Sequence, residues 1–192
     1  VLGRISPDPG LARMPLFERY HARQLERWRQ AMLQGTEPAR GQHLCTGNVS
    51  MRRADYLGVG GFNADLRRSE DRELGIRLEK SGCQIVYADE VASIHSSDHA
   101  SLRVWLRRAF LYGQFDRRIA AMHADMPSAH PWRFWALIHP LSRPIVALSL
   151  VWPGAGRVLA RVLYVIGLAA DAARLSGVAL TFTAFTYALE YF

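Results

Sequence analysis

The stretch that decides the fold is Gly60–Leu78, which reads GGFNADLRRSEDRELGIRL. Its two leading glycines indicate a turn, and Ser69 belongs to the residue types that favour the N-cap position of a helix. Glu70 and Asp71 then fall in the first helical turn, where the positive end of the helix dipole attracts carboxylates. The sequence therefore predicts a helix that begins at this acidic pair and ends at Gly82.

The acidic pair allows two interpretations. Carboxylates in a first turn commonly do no more than complement the helix dipole. A carboxylate held in one direction at a helix start is also suited to general-base catalysis, because it can accept a proton from a hydroxyl group within hydrogen-bond reach. Two adjacent carboxylates point in different directions, so that one can take the proton while the other holds a hydroxyl or an arginine. The segments on either side are needed to choose between these interpretations.

The flanking sequence alternates helical and extended patterns. Apolar residues at helical spacing, glycine stop signals and short β-branched runs define one element after another. In chain order we predict the end of a strand entering a loop at 1–10, a helix at 16–34, a strand containing a turn at 41–51, a short helix closed by Gly60 and Gly61, the helix after Ser69, brief strands at 84–88 and 91–95, and a helix that begins at Ser101. Helices and strands therefore alternate around the acidic pair.

The composition excludes some classes of protein and favours one kind of partner. Of the 192 residues, 49% are hydrophobic and 21% charged, which is ordinary for a globular protein and argues against overall disorder. Cys45 and Cys83 have no metal-type spacing and are predicted to be reduced, buried thiols. The formal charge is +7, and nearly all the positive charge is arginine. This charge favours anionic partners such as nucleotides, phosphorylated lipids, acidic membranes or nucleic acid.

The character of the sequence changes after about Met126. From 127 to 192 only Asp171 and Glu190 are acidic, whereas arginines and tryptophans are interspersed with apolar runs. None of these runs reaches the roughly 20 apolar residues of a confident membrane span. We therefore predict helices that lie in or against a bilayer surface, with a helical bundle packed on the domain as the alternative.

Three motifs follow one another in the first part of the chain: TGNVSMRR at Thr46–Arg53, the stretch with the acidic pair, and VASIH ending at His95. Together they resemble the second half of the catalytic domain of a family-2 glycosyltransferase, an inverting enzyme that uses nucleotide sugars and has the GT-A fold. The resemblance covers roughly residues 1–118. It implies an α/β fold class, with a partial GT-A domain at 1–125 followed by an α-helical, membrane-associated region at 126–192.

The resemblance assigns roles to the residues of these motifs. Asp71 is the expected general base, with Glu70 beside it. Gly47 is expected to let the main chain approach the sugars closely, and Asn48 to bind a sugar hydroxyl. The alternative for Asn48 is a turn residue that bonds its own backbone. Arg53 is expected to face phosphate, with a solvated arginine at a helix start as the alternative.

A divalent cation, Mn²⁺ or Mg²⁺, is the cofactor that the resemblance implies. The resemblance also implies that His95 is a ligand, because many members of the family have a metal-binding histidine downstream of the base, and imidazole suits Mn²⁺. A surface or core histidine is the alternative, and His99 is a weaker candidate. GT-A enzymes also hold the cation on an Asp-x-Asp motif, which does not occur in the 192 residues and is expected upstream of Val1. The chain is therefore expected to be a fragment that lacks the nucleotide-binding half and is inactive by itself.

The functional expectation that follows is a glycosyltransferase. It transfers a sugar, with inversion, from a nucleotide-sugar donor to a hydroxyl of a membrane-proximal glycan or lipid-linked acceptor. This reaction is expected at the cytoplasmic face of the cell membrane, in the synthesis of a cell-envelope polysaccharide or glycolipid. The alternative is a non-catalytic basic protein that binds membranes or polyanions. No nucleic-acid partner is expected, because no recognised binding motif accompanies the charge.

Overall fold

A computed structural model describes residues 1–95, 101–126, 129–130, 132–138 and 140–192. The fold is mixed α/β and mostly helical, so the predicted fold class is confirmed in this coarse form. Contacts divide the chain into two compact units. Unit 1 is Val1–Leu11 with Ala22–Ser97, and unit 2 is Ala12–His21 with Asp98–Phe192.

The described residues form two strands and eight α-helices. The strands are β1 (Leu2–Pro7) and β2 (Tyr87–His95). The helices are α1 (Leu16–Leu33), α2 (Arg53–Gly58), α3 (Glu70–Lys80), α4 (Leu102–Met122), α5 (Trp132–Leu137), α6 (Arg143–Val151), α7 (Pro153–Ala172) and α8 (Ser176–Tyr191). Short 3₁₀ turns occur at Leu11–Arg13, Gly41–His43 and Pro140–Ser142. Both strands therefore belong to unit 1, with α2 and α3, whereas α4–α8 belong to unit 2.

β1 and β2 form a parallel pair in which Pro7 lies opposite His95. The two brief strands predicted between 84 and 95 are a single strand in the structure. The polar residues in its middle stay extended, and the Asp89 carboxylate accepts a hydrogen bond from Arg29 Nε at 2.6 Å. Because the pair is parallel, the carboxyl ends of both strands lie at one edge of the sheet, and His95 is at that edge.

The strand predicted at 41–51 is wrong. The segment begins with a 3₁₀ turn, and only Val49 makes an isolated bridge to β1. The main chain of Gly41 passes so close to Gly75 of α3 that a Cβ on either glycine would overlap the main chain of the other. The N–H of Gly41 donates to the Glu79 carboxylate at 2.9 Å. This segment therefore bonds to α3 instead of pairing along a neighbouring strand.

α3 confirms the predicted helix after the glycine turn. It begins at the acidic pair, and Gly82, with φ at 88°, follows its end. The left-handed conformation at that glycine is a common way to end a helix. Leu74 and Leu78 of α3 are buried and pack with Leu2 and Leu44. The helix that carries the acidic pair is thus anchored by one apolar face to the core of unit 1.

Unit 2 is a helical bundle. α8 packs against α4 and α7, and α6 packs against α7. The rings of Phe17, Trp105 and Tyr164 lie 5.8 to 6.5 Å apart, and they form one of its apolar clusters. Gly113 of α4 is in close contact with the carbonyl oxygen of Tyr191 of α8, where a side chain would overlap. None of the described helices combines the length and hydropathy that crossing a bilayer requires.

Candidate active site

The acidic pair directly follows a strained residue. Ser69 has φ 58° and ψ 18°, in the left-handed region that residues other than glycine rarely adopt. Its side chain makes no capping hydrogen bond, although its carbonyl oxygen accepts the N–H of Glu73 at 2.9 Å. The predicted N-cap position of Ser69 is confirmed, but its backbone is left-handed instead of extended and its side chain does not cap the helix. Strain of this kind costs about 1 to 3 kcal/mol and tends to occur at functional sites.

Asp71 is half-buried, and main-chain groups hold its carboxylate. Oδ1 accepts the N–H of Arg72 at 2.8 Å, and Oδ2 accepts the N–H of Thr46 at a longer 3.4 Å. Burial raises the pKa of Asp71, and the neighbouring Glu70 charge adds to this rise, while main-chain N–H groups, including its own, oppose it. Asp71 is therefore a carboxylate with more affinity for a proton than an exposed aspartate has.

The other wall of this site is the segment Cys45–Gly47. Burial raises the pKa of the Cys45 thiol, and the charges of Asp71 and Glu70 raise it further. The structure thus brings the start of the TGNVSMRR motif to the acidic pair, 25 residues further along the chain. The predicted free thiols are confirmed, although both cysteines are half-buried. Sequence reasoning missed the Thr46 contact, because no local signal in the sequence shows that this segment lies against the start of α3.

Gly47 and Asn48 join the same segment to the sheet. The Asn48 amide nitrogen donates to the carbonyl oxygens of Arg4 at 2.9 Å and Val91 at 3.0 Å, and therefore links β1 to β2. The carbonyl oxygen of Gly47 accepts the Ser93 hydroxyl at 3.3 Å. A Cβ on Gly47 would lie 3.4 Å from the Ile5 side chain and 3.6 Å from the Cys45 sulfur, so the main chain here is in van der Waals contact with both side chains. Sugar binding by either residue stays a prediction.

Arg77 fixes the turn that precedes the acidic pair. Its guanidinium donates to both carboxylate oxygens of the buried Glu73, at 2.8 and 2.7 Å. It also donates to the carbonyl oxygens of Val59 and Gly61. Sequence reasoning did not single out this pair, although acid and base four residues apart on a helix are the expected signal. The Glu73–Arg77 pair therefore joins α3 to the GVGGF turn.

Arg53 is exposed at the first position of α2, which suits either of its predicted roles. Its neighbour Arg52 pairs with Asp55, at 2.7 and 3.1 Å, and is largely solvated. Arg52 is therefore engaged in an intramolecular ion pair with Asp55 of α2. Phosphate binding by Arg53 remains a prediction.

His95 ends β2 within unit 1. Across the described residues, no three His, Cys, Asp or Glu side chains come together as a group that could hold a metal ion. The donor set of these residues therefore does not by itself fit a divalent cation, and His95 stays a predicted single ligand. His99 lies outside the described residues.

A separate cavity of about 390 Å³ lies in unit 2. Its lining includes Arg117, His130, Trp132 and Phe192, and none of the residues that the sequence predicts for the site. Its basic side chains, Arg117 and His130, are exposed, so none of the described lining residues presents a buried charge to a ligand. The residues with the chemistry of a reaction site are therefore those around Asp71.

Comparison of this chain with family models, curated proteins and solved structures found no match. The arrangement around Asp71 must be interpreted from its own geometry. It offers a half-buried carboxylate with a raised pKa, a second carboxylate beside it, and the adjacent main-chain segment Cys45–Gly47. A carboxylate of this kind can accept a proton from a hydroxyl group that comes within hydrogen-bond reach.

Proposed function

We propose that this chain provides the acceptor side of an inverting glycosyl-transfer site, with Asp71 as the general base. The observation that supports this most is the environment of Asp71. Its carboxylate is half-buried and accepts hydrogen bonds from main-chain N–H groups, and its burial and the charge of Glu70 raise its pKa. A carboxylate kept only to complement a helix dipole has no need of such burial. The motif order at Thr46–Arg53, the acidic pair and His95 supports the same reaction by its resemblance to family-2 glycosyltransferases.

In this reaction the acceptor hydroxyl oxygen attacks the anomeric carbon of the donor sugar. A new C–O bond forms as the bond from that carbon to the nucleotide diphosphate breaks on the opposite face, which inverts the configuration. The hydroxyl proton passes to Asp71. Oδ2 is the better acceptor, because its hydrogen bond to Thr46 is long whereas Oδ1 has a short bond to Arg72. The raised pKa strengthens Asp71 as a base, because it increases the affinity of the carboxylate for a proton.

The remaining predicted residues have supporting roles in this proposal. Glu70 holds the acceptor hydroxyl and raises the pKa of Asp71 by its charge. Asn48 positions the segment that carries Gly47 on the sheet. His95 is proposed as a ligand for Mn²⁺ or Mg²⁺, which would offset charge on the departing diphosphate when bound. The proton transfer itself needs only Asp71.

The test is the Asp71→Asn substitution in the intact protein, assayed for transfer from nucleotide sugars and for donor binding. Loss of the base is expected to lower turnover by about 10² to 10⁴ while donor binding stays measurable. Asp65→Asn is the matched control, because Asp65 is exposed in the turn before the helix, and it should retain activity. If Asp71→Asn keeps most of the turnover, Asp71 is not the base.

A second candidate is a non-catalytic basic protein that binds anionic surfaces. The observation that favours it is the formal charge of +7. It predicts that the intact protein transfers no sugar from any common nucleotide sugar, and that Asp71→Asn has no functional consequence. Sugar release and product formation by the unaltered protein therefore separate the two candidates.

A further inference from the structure

The outward face of α7 is apolar and exposed. Val158, Val162, Val165 and Ile166 are between 42% and 62% exposed, and their spacing of four, three and one residues places them along one side of the helix. The opposite side is buried in unit 2, through the residues Gly156, Ala160, Leu163, Tyr164 and Gly167. A helix that is apolar on both sides is usually covered on both sides. The outward face is therefore an interaction surface.

α6 extends this surface. It joins α7 directly through Trp152, and Gly156 of α7 packs against Ser149 of α6, where a Cβ would lie 2.7 Å from the serine Cβ. Leu148 and Val151 are exposed by 54% and 68% on the side of α6 away from its buried residues. Single exposed apolar residues are normal, but several exposed apolar side chains on two packed helices indicate a binding surface. We call the exposed side chains of α6 and α7 the α6–α7 apolar surface.

The charges beside this surface are mostly positive. Arg157 and Arg161 are exposed on one flank of α7, between its buried and outward sides. Both arginines lower the pKa of the half-buried Glu190 by their charge, although burial raises that pKa overall. Asp171 at the end of α7 is already paired with Arg19, at 2.9 Å. The rim of the apolar surface therefore complements an anionic partner.

Trp152 gives a further indication of the partner. It is 62% exposed at the junction of α6 and α7, and tryptophan is enriched where proteins meet the boundary between lipid headgroups and acyl chains. A second copy of the chain docked through this surface would bring arginines of like charge together, which costs free energy at an apolar contact. A lipid surface with anionic headgroups accepts valine, tryptophan and arginine side chains together.

We propose that the α6–α7 apolar surface docks on an anionic lipid bilayer, with the valines of α7 among the acyl chains and Arg157 and Arg161 at the headgroups. This inference does not depend on the proposed reaction. A transferase that acts on a soluble acceptor hydroxyl would keep its activity if the docking were wrong, and a bilayer-binding protein would keep its docking if Asp71 were not a base.

The test is flotation of the intact protein with vesicles of phosphatidylcholine alone or with added phosphatidylserine. The unaltered protein is expected to float with the anionic vesicles. The triple variant V158S/V162S/V165S should bind at least about tenfold more weakly, because binding scales with buried apolar area. R157Q/R161Q should lose about thirtyfold on anionic vesicles and little on neutral ones. The control L33S/L57S changes apolar residues of unit 1 that are 49% and 57% exposed, and should bind like the unaltered protein.

Two further measurements distinguish docking on lipid from self-association through the same surface. Quenching of tryptophan fluorescence by brominated lipids should fall in the W152F variant, because Trp152 lies at the headgroup boundary in the docked protein. Light scattering gives the oligomeric state without lipid. Failure of the unaltered protein to float, or equal flotation of the triple valine variant, overturns the proposal. It is also overturned if the unaltered protein is a dimer that the valine substitutions dissociate and neither form binds vesicles.

Discussion

Units 1 and 2 are stabilised by different kinds of contact. In unit 1, charged side chains join helices to strands and turns: Arg29 binds Asp89 through two nitrogens at 2.6 and 2.8 Å, and Arg77 binds Glu73 and two main-chain carbonyls. In unit 2, large rings and close helix contacts fill the interior, as in the stacked Phe17 and Trp105. Unit 1 is therefore specified by directional bonds and unit 2 by apolar packing.

Directional bonds and apolar packing suit two different functions. Directional bonds hold a carboxylate such as Asp71 in one orientation, which proton transfer requires. Apolar packing has no such direction, and it leaves helices free to present a second apolar side, as α7 does. The comparison predicts that substitutions of charged residues in unit 1 act through specific partners, whereas substitutions of apolar residues in unit 2 act through volume.

The largest expected effects come from the close helix contacts in each unit. Gly75→Ala places a methyl group against the Gly41 main chain in unit 1, and Gly113→Ala places one against the Tyr191 carbonyl in unit 2. Because backbone atoms cannot yield as a side chain can, each should cost about 3 kcal/mol or more of unfolding free energy, measured by chemical denaturation.

Gly154→Ala is the matched control for both substitutions, since a Cβ there meets no atom within 4 Å. This variant should unfold within about 1 kcal/mol of the unaltered protein. If Gly75→Ala is no less stable than Gly154→Ala, the close approach of α3 to Gly41 is wrong.

The next effect concerns the Glu73–Arg77 pair. Arg77→Gln leaves the Glu73 carboxylate buried without its cation, and we expect a loss of about 2 to 3 kcal/mol in unfolding free energy. Adding Glu73→Gln should recover part of the loss. Arg52→Gln is the control of the same type, because Arg52 is 82% exposed and pairs with Asp55 at the surface, where a loss of at most about 1 kcal/mol is expected. Equal losses for Arg52→Gln and Arg77→Gln would contradict the role of Arg77 at the turn.

A smaller effect depends on pH. The hydrogen bonds from Arg29 lower the pKa of Asp89 to about 2. A lowered pKa in the folded state stabilises the protein above the ordinary pKa of about 4, and this contribution is lost as the pH falls towards 2. Asp89→Asn should therefore flatten the pH dependence of the urea midpoint across that range. An unchanged pH dependence in the variant would mean that the Arg29–Asp89 pair does not couple to folding.

The smallest effect on stability is expected at Asp71 itself. Because burial raises its pKa in the folded state, the ionised carboxylate costs free energy near neutral pH, and stability rises as the pH falls through that raised pKa. Asp71→Asn should therefore unfold at the same or a slightly higher urea concentration. A carboxylate that only complements the helix dipole predicts the reverse, a loss of about 0.3 to 1 kcal/mol.

The sequence predicted the helices better than the contacts between them. The helix at Glu70–Lys80 followed from its glycines, acidic first turn and apolar spacing, all of which are local signals. The strand predicted at 41–51 failed because the segment approaches α3 instead, through a contact between Gly41 and Gly75, which are 34 residues apart in sequence. Nothing local to either glycine indicates such a contact.

For the candidate site, too, the sequence indicated the residue types but not their contacts. The sequence singled out Asp71, Glu70 and Asn48 as residue types suited to sugar chemistry. It could not give the burial that raises the pKa of Asp71, the N–H of Thr46 that reaches its carboxylate, or the bonds by which Asn48 holds two strands together. Those properties depend on contacts between segments that are far apart in the sequence.

The most direct test of the central claim is the pH dependence of kcat/KM for sugar transfer by the intact protein and by Asp71→Asn. A buried base predicts that activity falls on the acid side with an apparent pKa above the ordinary value of about 4, and that the variant loses both this limb and most of its rate. A variant with the rate and pH profile of the unaltered protein would contradict the account, and the acidic pair would then only complement the helix dipole.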